Sequence, residues 1–143
     1  MSSDAWGSLQ EGLYRKFSTG ASVIILEMGF SYGTMLFDSL NNAAMANHES
    51  EAPSLNDLEQ LMMKTGCGKL KISGDLEKGS HILLVARSCV FCEGKNAVEY
   101  QCNFLRGIVL GLSTGLYAKQ YRSLVNCSRE ADGHVCKIEL IGK

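Results

Sequence analysis

The chain has 143 residues, 45% of them hydrophobic and 20% charged, with a net charge of -1. That is enough for one domain around one core, and it leaves no electrostatic footprint for nucleic acid or an anionic membrane. Six cysteines follow an opening, "MSSDAWGSLQEGLYRKF", too polar for a secretion signal; the expected compartment is the cytoplasm, where cysteines point to metal or thiol chemistry before disulfides.

Residues 1–20 mix glycine, serine and charge and carry only a faint helical pattern; they are read as an N-terminal segment preceding one domain over residues 21–143. "ASVIILEMG" is apolar and partly β-branched, which suits a buried strand or the start of a buried helix. "FSYGTMLFDSLNNAAMA" then has helical spacing. Pro53, the only proline, lies in a polar loop. Ser54 and Asp57 have the spacing of a capping box for the next helix, with Leu55, Leu58, Leu61 and Met62 as its apolar stripe.

Beyond residue 68 the period changes. "KLKIS" alternates polar and apolar, and "HILLVARS" is apolar enough for a central strand; together they predict a hairpin. Asn96 and Glu99 predict a helix over residues 97–119. "RSLVNCS" and "VCKIELI" predict a closing hairpin, with Asp132-Gly133 as its turn signal. The expected class is α+β, with helices packed on one face of an antiparallel sheet. The longest uncharged run, residues 107–118, is too short to span a bilayer, so neither membrane nor nucleic acid is an expected partner.

The cysteines carry the chemistry. The turn near Asp132 makes Cys127 and Cys136 cross-strand partners, with Cβ atoms about 4.5–5.5 Å apart. Two thiolates that close can share one tetrahedral zinc ion. Cys102 sits near the start of the predicted long helix, where a thiolate is favoured. Cys92 is the first choice for a fourth ligand, with Cys89, His134 or a water molecule as alternatives. Gly107, Gly111 and Gly115 recur every four residues on one helix face. Interior helix glycine costs roughly 1 kcal/mol against alanine, so the spacing predicts close backbone packing, on the sheet in the simplest case. "GFSYG", residues 29–33, repeats the spacing and is a second surface for that contact.

"CNFLRGIVLGL", "VNC" and "GHVCKIELIGK" resemble the 4-vinyl-reductase, or hydrocarbon-binding, domain family. In that pattern a cysteine opens a helix, glycines follow five and nine residues later, and a final hairpin holds two cysteines. Here these are Cys102, Gly107, Gly111, Cys127 and Cys136. "VIILEMGFSYGTML" is similar to the family's strand-glycine-helix entry. The resemblance covers residues 20–143 and is specific over residues 102–143. It implies the fold of TRAPP subunits and haem-NO-binding domains, a dimer, and a zinc site like that of phenol-responsive activators. Those sensors use a glutamate three residues before the first hairpin cysteine; Leu124 stands there in this chain.

The function these readings favour is a zinc-containing binding or sensor domain for a small hydrophobic or aromatic molecule, acting through a homodimer or a partner. Met28, Phe30, Leu84 and Phe104 are the candidate ligand-binding residues, in a cavity expected between helices and sheet. The dimer is expected on residues 30–47, because Phe30, Tyr32, Met35, Leu36, Phe37, Leu40 and Met45 nearly encircle the helix axis. One alternative is an enzyme: a reductase or accessory protein of tetrapyrrole vinyl-group metabolism, or a thiol redox protein using Cys89 and Cys92. No dinucleotide fingerprint supports a reductase. The other alternative is an assembly subunit.

Overall fold

The computed structural model describes residues 3–46, 54–64, 69–87, 102–130 and 133–143. Their order is α1 (Ser3–Phe17), α2 (Gly20–Ala46), α3 (Leu55–Lys64), β1 (Lys69–Gly74), β2 (His81–Arg87), α4 (Asn103–Tyr117), β3 (Tyr121–Glu130) and β4 (Gly133–Gly142). The strands form one antiparallel sheet in the order β1-β2-β4-β3. The apolar strand β2 is central, as its composition predicts, and β4 lies beside it although α4 and β3 intervene in sequence.

Strand alternation sends one set of side chains to one face of the sheet. Leu70 of β1, Ile82, Leu84 and Ala86 of β2, and Cys136, Ile138 and Leu140 of β4 are all buried there. Leu105, Ile108, Val109 and Leu112 of α4 complete the same core. The other face carries Lys71, Arg122, Asn126 and Lys137 in solvent. Across it His81 Nε2 lies 2.9 Å from Glu139 Oε1. The edge strand β1 is partly covered by α3, whose Glu59 carboxylate accepts a hydrogen bond from the Ile72 amide at 3.3 Å. The start of α3 is the capping box foreseen: Ser54 N–H donates to Asp57 Oδ2 at 2.8 Å, and the Asp57 amide donates to Ser54 Oγ at 3.4 Å. The apolar stripe proposed for α3 lies outside the described side chains.

One open reading is resolved and two are corrected. First, of the two readings of "ASVIILEMG" the helix holds: residues 20–46 are one helix, because burial of Ala21 and Ile25 at helical spacing outweighs the modest β preference of Val23, Ile24 and Ile25. Second, no helix runs unbroken over residues 97–119. Cys102 is left-handed, with φ 52° and ψ 38°, so α4 begins after it; left-handed Ala118 ends α4. Third, the glycine face of α4 packs on α2, not on the sheet. A Cβ at Gly29 would collide with the Phe104 carbonyl oxygen, at Gly33 with that of Ile108, at Gly107 with that of Leu26 and at Gly111 with that of Phe30. The two helices run side by side in the same direction with their backbones in contact.

The layers are therefore sheet, α4, then α2. The faint pattern at the N-terminus forms α1, held by Tyr14. Its hydroxyl shares a 2.7 Å hydrogen bond with Ser22 Oγ of α2 and accepts one of 3.1 Å from Asn103 Nδ2 of α4. Gly20–Asn42 of α2 is long and apolar enough to cross a membrane by length and composition alone, with mean hydropathy 1.3. The longer uncharged run in α4 hides that stretch from a search for unbroken apolar sequence, since Glu27 and Asp38 interrupt it.

Gly29→Ala should destabilise the fold by about 1–3 kcal/mol, because the methyl meets backbone that cannot rotate away. Gly12→Ala, at an α1 position with nothing near the added methyl, should be neutral or stabilising by up to about 1 kcal/mol. Thermal melts of the two variants check the contrast.

Candidate metal centre and apolar groove

Two features stand at the start of α4. The first is a sulfur cluster. The register of β3 and β4 pairs Cys127 directly with Cys136, as the turn spacing predicts. The left-handed turn at Cys102 brings its sulfur to the same point. Cys127 Sγ lies 3.1 Å from Cys102 Sγ and 2.8 Å from Cys136 Sγ. Cys102 and Cys136 are at disulfide distance. His134, two residues before Cys136 and therefore on the same face of β4, joins them. The possible ligand atoms of Cys102, Cys127, His134 and Cys136 all lie within 4.8 Å of one another. Cys89 and Cys92 lie outside the described residues.

The donor set fits a zinc ion. Zn–S bonds of about 2.3 Å and Zn–N bonds of about 2.0–2.1 Å place tetrahedral donors roughly 3.4–3.8 Å apart; the three sulfurs stand closer than that, Cys127 at 3.1 Å from Cys102 and 2.8 Å from Cys136, and would spread to take the ion. Sulfur and imidazole donors suit zinc and exclude a magnesium- or calcium-type site. The Cα atoms of Cys102 and Cys136 are 7.0 Å apart, outside the usual 4.4–6.8 Å of a disulfide. Burial pushes the Cys127 thiol up to about 11. The shift disfavours the thiolate as long as no cation stands beside it. Leu124, at the position where the resembling sensors have glutamate, is 50% exposed. An odd spacing from Cys127 sends it to the other face of the sheet.

The second feature is an open groove of about 690 Å³ between α2 and the first turn of α4. Val23, Ile24, Glu27, Met28, Ser31, Tyr32 and Phe104 line it. Tyr32 and Phe104 stack with ring centroids 6.1 Å apart. Val23 is 62% exposed and Met28 42%, so the groove presents apolar surface to solvent. Of the four candidate ligand-binding residues, Met28 and Phe104 line this groove. Phe30 is not among its lining residues, and Leu84, 1% exposed, is core beneath α4. The groove lies on the helix layer, not in the helix–sheet space where a cavity was expected; buried side chains of α4 and the strands occupy that space. Val23, Ile24, Glu27, Ser31 and Tyr32 escaped the sequence reading. Their signal was present: positions 23, 24, 27, 28, 31 and 32 form one stripe once the segment is a helix.

No protein-family model matches the sequence, and no curated protein matches it. Solved structures do match in fold. One is the phenol-responsive sensory domain of the transcription activator PoxR with phenol. It is 14% identical, with a TM-score of 0.64 over 99% of this chain and 75% of that one. Another is subunit 3 of the trafficking protein particle complex from Naegleria fowleri, covalently bound to palmitic acid. It is 12% identical, with a TM-score of 0.57 over 99% of this chain and 92% of that one. The fold is thus the α+β architecture of these two proteins.

Cys136→Ser should lower both metal content and melting temperature, since structural zinc supplies folding energy directly. Cys67→Ser, at a cysteine that the sequence reading does not count among the ligands, should change neither. Elemental analysis and thermal melts of protein purified without chelator read both outcomes.

Proposed function

We propose that this chain is a ligand-binding domain of the 4-vinyl-reductase kind. The groove between α2 and α4 takes a small hydrophobic or aromatic molecule, and a zinc ion held by Cys102, Cys127 and Cys136 fixes the start of α4. The observation that carries this reading is the groove. Six of its seven lining residues are apolar, aromatic or a small hydroxyl, and the seventh is Glu27. Such a lining recognises apolar shape with one polar contact, as small-molecule sites do. The two fold neighbours support it, one being a phenol sensor and the other carrying palmitate. The residues of the 4-vinyl-reductase pattern support the family assignment.

The zinc belongs to the same reading. Phe104 lines the groove and lies two residues after Cys102, so a fixed Cys102 fixes one wall of the ligand site. In this reading signalling passes through a cytoplasmic partner or a homodimer. The dimer reading is supported by exposed Met35 on α2, in the segment proposed for it. An assembly subunit would use the same surface and would have no need of the groove.

Phenol and a medium-chain fatty acid separate the two kinds of ligand. A molecule present at about 100 times its Kd adds roughly 2.7 kcal/mol, which should raise the melting temperature by about 5–10 °C in a domain of this size. Met28→Glu should abolish the rise and leave the ligand-free melt nearly unchanged, because Met28 is exposed. If neither probe shifts the melt, the binding reading loses its support. The dimer is checked by sedimentation at micromolar concentration. The unmodified chain should sediment as a dimer and Met35→Lys as a monomer; a monomeric unmodified chain removes the dimer from the proposal.

A further inference from the structure

We propose that His134 is the fourth ligand and closes the zinc site as a Cys3His set; this rests on the reading that the three cysteines hold zinc. Three of the four donors come from one hairpin, and strand geometry alone brings them together. Cys127 and Cys136 are register partners. His134 precedes Cys136 by two residues, the spacing that returns a side chain to the same face. The fourth element is the left-handed turn at Cys102, which aims its sulfur at that face. The resulting atoms are mutually within 4.8 Å. His134 is 7% exposed, so its imidazole sits where a neutral ring nitrogen can coordinate without competing with bulk water.

The alternative position in the hairpin does not serve. Position 124 points to the other face, and it holds leucine, which donates nothing. The β3–β4 register is regular from Tyr121 to Glu130, so no bulge in that span turns position 124 inward. The carboxylate ligand of the resembling sensors is thus replaced by an imidazole from the partner strand. Cys92 is then not required. Four protein donors leave no open coordination position, so the ion is structural and cannot activate water or a substrate.

The test uses the full chain purified from cells without chelator. X-ray absorption at the zinc edge should show three sulfurs at about 2.3 Å and one nitrogen at about 2.0–2.1 Å, with the outer-shell scattering of an imidazole ring. His134→Ala should weaken zinc binding, measured by chelator competition, by more than about 100-fold, the upper end of what loss of a mere supporting residue produces. His134→Cys should restore binding with a four-sulfur shell. Cys92→Ser should leave affinity and spectrum unchanged. A four-sulfur shell in the unmodified chain, or a shell of three sulfurs and oxygen, overturns the assignment of His134 and leaves the zinc reading standing. Protein with no stoichiometric zinc and with Cys102 joined to Cys136 under reducing purification overturns both. If His134→Ala does not fold, the spectrum of the unmodified chain decides alone.

Discussion

The close approach of α2 and α4 is the constraint on which the rest of this molecule depends. Helix axes in ordinary contact stand about 8–10 Å apart because side chains separate them. Here glycines at 29, 33, 107 and 111 remove those side chains, and backbone meets backbone. The contact leaves little freedom for one helix to slide along the other, since any shift drives a Cβ into a carbonyl. α4 is consequently pinned on two sides. Leu105, Val109 and Leu112 bury toward the core with the sheet, and the glycine face locks to α2. The glycines lower intrinsic helix stability, and dense dispersion contact offsets that loss.

The groove follows from the same register. Gly29 lies against Phe104 and Gly107, and Leu26 against Gly107, so only the first residues of α2 run past the point where α4 starts. Ala21 and Ile25 on that overhang are buried, and Ser22 is tied to α1 through Tyr14. Val23, Ile24 and Met28 on the adjoining face line the groove together with Tyr32 and Phe104. An apolar patch beside a helix terminus is the outcome. The left-handed Cys102 opens α4 at this point and delivers a sulfur to the hairpin.

Much of the sheet was legible in the sequence because strand period and turn chemistry are local signals. The alternation in "KLKIS", the apolar run in "HILLVARS" and the turn at Asp132-Gly133 set both hairpins, and the last also set the pairing of Cys127 with Cys136. The helices were less legible. "SVIIL" suits strand and helix alike, and only its burial against α1 and α4 decides between them. The break at Cys102 has no local signal, since a cysteine in the left-handed region is held by its surroundings and not by its own preference. His134 was readable, since period two places it beside Cys136 and it lies in the cluster; Cys92 was argued from the path of a turn that lies outside the described residues. The groove residues were hidden behind the strand alternative for residues 21–29, because as a strand that segment scatters Val23, Ile24 and Met28 over two faces.

Among the described residues, the proposed binding groove and the sulfur cluster meet at one short segment. The cluster lies against β3 and β4 on the sheet side of the α4 start, and the groove lies on its α2 side. They connect through Cys102, Asn103 and Phe104. Asn103 is itself held by Tyr14 of α1, so this first turn is fixed by three separate elements: the hairpin, α1 and α2. A ligand pressing on Phe104 thus acts on a turn that cannot yield without disturbing one of them. If the hairpin hold is a metal–thiolate bond, it is the strongest of the three, since structural zinc contributes of order 10 kcal/mol where a hydrogen bond contributes about 1 kcal/mol. α1 and α2 carry exposed Leu9, Phe17, Val23 and Met35, so under the proposed reading the helix layer, not the sheet, is the surface that a second copy or a partner would meet.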